Sequence, residues 1–302
     1  MSQAHHTRLN MSAGMFSVAV ALILVFAKLW ALSLTGSVAI AATLADSALD
    51  LMMSIGGLIA IRYAAKPADE DHAFGHTSAE DLAALAQSLF IAGSASWITY
   101  VAVKRLLSGE AGALSDEGAG ITVMVFSILL TFGLVLWQRF VARKTGNKVV
   151  AADSLHYVGD LVPNVGAIVA LWVSSRFGLG TIDSIVALMA AALMFAGSFK
   201  IGKTAWDALM DRAADEEMID GIGKITDDFP GVHGFHDLRT RQAGSRVFVN
   251  MHIELDGSQS LDDAHAIGAA LRRKIVSTYP SADVMIHKDP IGVERHPDDD
   301  RR

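Results

Sequence analysis

Two pairs of ionisable residues lie in stretches that are otherwise almost wholly apolar. Asp46 and Asp50 sit in IAATLADSALDLMMS, and His156 and Asp160 in VVAADSLHYVGDLVPN. Each pair is spaced four residues apart, so on a helix both side chains share one face, with Cβ atoms about 5–6 Å apart. Ionisable groups inside a membrane helix cost at least ~2.5 kcal/mol each and mark ion pathways. Face to face, the pairs offer three carboxylates and one imidazole, a donor set that suits a four-coordinate divalent metal such as zinc. Interhelical hydrogen bonding is the competing reading, but three buried carboxylates without a cation would mostly have to protonate.

A second cluster follows in PADEDHAFGH, where Asp69, His72 and His76 could close around a metal; a solvated acidic loop is the alternative. A third lies near the C-terminus. His236, His252 and His287 fall on expected strands, Asp289 follows two residues after His287, and His265 lies on an expected helix. A lone surface histidine usually has no role, but four with an aspartate in so short a stretch could converge on metal. His5, His6, His233 and His296 have no assignment.

Other chemistries are poorly supported. There is no cysteine, which excludes disulfides, thiolate zinc sites, iron–sulfur clusters and cysteine nucleophiles. Gly197–Thr204 (GSFKIGKT) fits G-x-x-x-x-G-K-[ST], but a phosphate loop needs a strand before it, and the run from Ile182 reads as continuous helix. No nucleotide is therefore expected, and Lys200 and Lys203 read as interface anchors. The protease signatures H-E-x-x-H and G-x-S-x-G are absent, and no enzymatic activity is expected.

The elements that must position these residues fall in two solvents. The chain has 302 residues, 52% hydrophobic and 19% charged, with mean hydropathy +0.37 and net charge −7, which argues against nucleic acid as a partner. Residues 1–208 carry net charge −1, and residues 209–302 carry −6 with far denser charge. The first segment holds six apolar stretches, near 14–34, 38–62, 82–107, 119–141, 150–175 and 182–208, each long enough to span a bilayer as a helix. No cleaved signal peptide is expected. Lys and Arg concentrate on the side of Arg8, Arg62, Lys66, Arg139, Arg143, Lys144, Lys148, Lys200, Lys203 and Arg212, against Lys104, Arg105 and Arg176 opposite. That bias puts both termini in the cytoplasm.

Residues 209–291 read as an α-β-β-α-β domain: a helix over 215–229, strands over 236–241 and 246–255, a helix from the capping sequence Ser260–Asp263 to about Tyr279, and a strand over 282–289. Val247, Val249, Met251, Ile253 and Leu255 share the face expected to pack on the helices, which turns His252 away from the core. Residues 292–302 read as a loose tail.

Five motifs, DSALD, RYAAKPADEDHAFGH, ADSLHYVGDL, HDLRTRQAG and HKDP, resemble in order and spacing those of the cation diffusion facilitators, and closely the bacterial zinc and iron efflux members. The resemblance spans about residues 14–291. It implies a homodimer in the bacterial inner membrane, with six helices per subunit and a metallochaperone-like cytoplasmic domain. It also implies a transport site at Asp46, Asp50, His156 and Asp160, and a loop site at Asp69, His72 and His76. The third implied site holds two metals at the cytoplasmic dimer interface, using His236, His252, His265, His287 and Asp289. Two positions depart from the close members. Ser78 replaces a lysine that pairs with the aspartate matching Asp211, and Lys288 replaces a glutamine.

The reading is a metal/proton antiporter that exports Zn2+, with Fe2+ and Cd2+ as alternatives. Imidazole with carboxylates favours borderline transition metals over Mg2+ or Ca2+, and histidine can trade metal for a proton near neutral pH. A membrane-anchored metal sensor without transport is the alternative. It leaves the intramembrane residues without a purpose.

Overall fold

The computed structural model describes residues 3–35, 38–108, 118–161 and 182–292. Two compact units emerge, one over His6–Trp206 and the other from Asp207 onward with the first few residues.

The first unit is helical. Helices α1 (Gln3–Thr35), α2 (Val38–Ala64), α3 (Ser78–Ser108) and α4 (Gly118–Thr145) are followed by α5, helical over 148–161, and α6 (Ile182–Leu209). Among the described residues, four segments are long and apolar enough to cross a membrane: His5–Trp30, Ser47–Ala64, Ser78–Ser108 and Val125–Thr145. The fifth expected span continues into 162–181, outside the described residues. The sixth is a continuous helix of 28 residues, about 42 Å long at 1.5 Å per residue. It runs unbroken through Gly197–Thr204, so the sequence that fits a phosphate loop has no strand before it.

Large apolar side chains point outward in this unit, among them Phe26, Trp30, Met52, Ile59, Leu89, Trp97, Leu129 and Met189. In water such a surface would aggregate; in lipid it is the solvated face. Inside, small residues bring the backbones close: Ala13, Ala84, Ala95, Ala102 and Ala152 are buried. Val20 and Leu24 of α1, Leu134 and Val135 of α4, and Tyr157 and Val158 of α5 form one buried cluster.

The second unit has helix α7 (Glu216–Asp227), strands β1 (Gly234–Ala243) and β2 (Arg246–Leu255), helix α8 (Leu261–Thr278) and strand β3 (Ala282–Pro290). The sheet order is β1-β2-β3, with β1 antiparallel and β3 parallel to β2. The parallel pair needs a crossover, which α8 supplies. Ser260 caps α8 by accepting the Asp263 N–H at 3.1 Å. Alternation along β2 buries Val249, Met251, Ile253 and Leu255 against Ile222 of α7 and Leu271 and Ile275 of α8.

β1 contains one irregularity that matters for the site. His236 pairs with His252 but Arg239 pairs with Asn250, so two residues oppose one, and Asp237 takes a positive φ of 49°. The bulge turns both Phe235 and Leu238 to the core although they are three apart, while His236 faces the other way.

Candidate metal sites

In the helical unit, Asp50 on α2 and His156 and Asp160 on α5 come together. His156 Nε2 lies 2.9 Å from Asp50 Oδ1 and 3.9 Å from Asp160 Oδ2. One ligand atom from each lies within 4.8 Å of the others. Donors on one tetrahedral zinc sit ~3.4 Å apart, so these separations bracket the spacing an ion requires. His156 is buried, with the Phe90 ring edge-on 6.0 Å away. Asp46 is on α2 one turn before Asp50; its side chain lies outside the described residues.

The loop group forms a compact turn. Asp69 Oδ1 accepts the His72 backbone N–H at 2.8 Å, and Asp69 Oδ2 lies 3.2 Å from His76 Nε2. The His72 and His76 rings stand 4.5 Å apart. Gly75 makes this possible, since it closes the turn through its N–H to the His72 carbonyl at a φ of 85°. The hydrogen bond from the His72 backbone N–H holds the Asp69 carboxyl below its ordinary range, with the His72 and His76 side chains adding to the effect. His76 is buried, and its Nδ1 has no hydrogen-bond partner among the described residues.

In the second unit, register does the assembly. His236, His252 and His287 are paired across β1, β2 and β3, so they form one row on the sheet face turned from the helices. Their rings stand 5.0 Å and 4.6 Å apart. The next row pairs Gly234, Glu254 and Asp289. Asp289 Oδ2 lies 2.8 Å from His252 Nδ1 and 3.6 Å from His236 Nε2, and its Oδ1 lies 3.2 Å from His287 Nε2. Three imidazoles thus surround one carboxylate. Glu254 Oε1 lies 3.3 Å from His236 Nδ1. It fits because position 234 is glycine: a Cβ there would meet Glu254 Oε2 at 3.2 Å.

His265 is not brought to this group. It is exposed on α8, which packs on the opposite, apolar face of the sheet. Lys288 also turns to that face, since a Cβ on Gly268 of α8 would stand 2.5 Å from Lys288 Cε. Asp211 pairs with Arg241 Nη1 at 3.2 Å, and that guanidinium stacks on Phe248.

The sequence reading passed over several polar residues that belong near these groups. Asp153, one turn before His156, is buried, and its Oδ2 accepts from Ser17 Oγ and Gln138 Nε2, both at 2.6 Å. Tyr157 and Ser54 share a hydrogen bond at 2.9 Å beside them. Asp81 on α3 pairs with Lys148 on α5 at 2.6 Å. Lys28 on α1 donates to Ser47 on α2. The rule that an ionisable residue in an apolar helix is functional until shown otherwise would have found Asp153 and Lys28. Strand alternation, which puts Glu254 on the face of His252, would have found Glu254.

Comparison with known proteins gives the family of the chain. Residues 15–210 match the cation efflux transmembrane domain, and residues 214–291 match the cytoplasmic domain of cation efflux proteins. The chain belongs to the cation efflux, or cation diffusion facilitator, family. The cation-efflux pump FieF of Serratia proteamaculans is 40% identical over 96% of this chain and 96% of its own length. That of Shewanella oneidensis is 43% identical over 92% and 93%. Among solved structures, the metal-bound C-terminal domain of the CzcD transporter from Thermotoga maritima is 38% identical over 26% of this chain and 93% of its own, with a TM-score of 0.25. This chain is therefore a cation efflux transporter and not an enzyme, with a helical membrane domain and a C-terminal α/β domain.

Proposed function

We propose that this cation efflux protein exports Zn2+ from the bacterial cytoplasm in exchange for protons, with Fe2+ and Cd2+ as further substrates. The observation that carries the reading is the Asp50, His156 and Asp160 group, held between apolar helices with Asp46 one turn away on α2. One imidazole among carboxylates is a donor set for borderline divalent ions. Ligation needs the neutral imidazole and ionised carboxylates, so metal arrival releases protons and metal departure takes them back. That linkage is sufficient for antiport if the site opens to one side at a time.

The loop group (Asp69, His72, His76) and the strand group (His236, His252, His287, Asp289) are further metal sites in this reading. His265 stands on the far side of the sheet from its own chain's histidines, so as a ligand it serves a partner copy. That supports a homodimer with shared cytoplasmic metals. Both termini are cytoplasmic, following the bias of Lys and Arg.

Purified protein reconstituted in liposomes, with zinc and pH dyes inside and no ATP, tests this. Zinc flux coupled to opposite proton flux is expected. Metal binding without flux would leave a membrane-anchored sensor, and zinc flux without proton movement would refute antiport.

A further inference from the structure

Lysine is expensive inside an apolar helix, yet α1 carries one at position 28, between the apolar neighbours Val25, Phe26, Leu29 and Trp30. Its ammonium turns into the bundle. Lys28 Nζ donates to Ser47 Oγ at 2.6 Å, and Lys28 lines the same cavity as Ser47, Asp50, Tyr157 and Asp160. The cavity is about 40 Å³, room for one ion or one or two waters. Whatever enters is therefore within reach of an ammonium and of two transport carboxylates at once.

An ammonium has no lone pair, so Lys28 cannot ligate a metal; it acts through its charge. With Asp46 counted in the site as proposed above, the carboxylates of Asp46, Asp50 and Asp160 carry three negative charges, and Lys28 and a divalent ion carry three positive. The loaded site is then neutral. Without the lysine it would stay net negative and hold a divalent ion against less repulsion. A transporter needs an ion bound firmly enough to be captured and loosely enough to leave.

We propose that Lys28 is the tethered counter-cation of the transport site, setting its charge so that a divalent ion is released rather than trapped. This rests on the reading of Asp46, Asp50, His156 and Asp160 as that site. Ser47 holds the ammonium in place, and the cation stays beside the carboxylates through the cycle.

Zinc titration of the full-length protein in detergent, against a competing zinc dye, tests the proposal. The class of site lost in Asp50→Ala is the transport class. In Lys28→Gln and in Lys28→Met its affinity should tighten about tenfold or more, and zinc turnover in liposomes should fall. Lys28→Arg keeps the charge and should keep wild-type affinity. Ser47→Ala removes the hydrogen bond but not the charge, and should stay within about threefold of wild type. Unchanged or weaker affinity in both neutral lysine variants overturns the proposal. So does a Ser47→Ala variant that reproduces their effect, since Lys28 would then only position a helix. If Asp50→Ala loses no class of site, the transport-site reading itself fails and this proposal falls with it.

Discussion

Replacing Asp289 by Asn isolates what one carboxylate contributes to the cytoplasmic group. The side chain keeps its shape and loses its charge, while His236, His252 and His287 keep their backbone positions across the sheet. Even at a 4 Å separation, longer than a coordination bond, a unit charge and a divalent ion attract by about 2 kcal/mol in water and about 8 at an effective dielectric near 20. Asp289 is 21% exposed and His287 64%, which places the group toward the watery end. The expected loss is about 2–4 kcal/mol, or roughly 30- to 1,000-fold in zinc affinity. Asp289 packs on polar neighbours at a strand end, so the fold should survive. Isothermal calorimetry on full-length protein reads the affinity of this class of site, and circular dichroism checks that melting moves by only a few degrees. Zinc affinity within about threefold of wild type would refute the argument that this carboxylate organises the three imidazoles around a metal.

Asp50→Ala should abolish zinc flux into liposomes while calorimetry still finds cytoplasmic binding, because the two groups lie in separate units. His156→Asp gives an all-oxygen donor set, so zinc transport should fall and discrimination against Mn2+ should relax in a two-metal flux assay. Spin labels on the cytoplasmic domains of a dimer should move closer when saturating zinc replaces chelator. Metal offsets the repulsion of two segments of net charge −6, and Asp211 is engaged by Arg241 of its own chain. At the loop site, the lowered Asp69 carboxyl stays ionised as pH falls through the ordinary carboxylate range. Acid that strips metal from the loop should therefore do so while Asp69 is still ionised, which nuclear magnetic resonance of that carboxyl carbon would check.

Much of this protein is written in local pattern. Apolar runs of bilayer length need no partner to be recognised, because the solvent that selects them is the same along the whole stretch. The spacing of Asp46 with Asp50 and of His156 with Asp160 fixes one helix face for each pair, since helix period is a backbone property. Strand alternation likewise turns His252 from the core. What no local pattern holds is which faces meet. His156 reaches Asp50 across 106 positions, through the packing of α5 on α2. His236 joins the histidine row only because a bulge at Asp237 resets β1 after it, while the crossover through α8 sets β3 parallel and brings His287 level with His252. The same topology sends His265 and Lys288 to the opposite face, a result their proximity in sequence does not reveal. Lys28 and Asp153 read from sequence as isolated costs; only the packing of α1 against α2, α4 and α5 gives them neighbours. The sequence by itself therefore determined the elements and the residue types that could bind metal, because propensity and period act over a few residues. The tertiary structure decided which of those residues share a site, because contacts between distant segments depend on packing and register that no single segment contains.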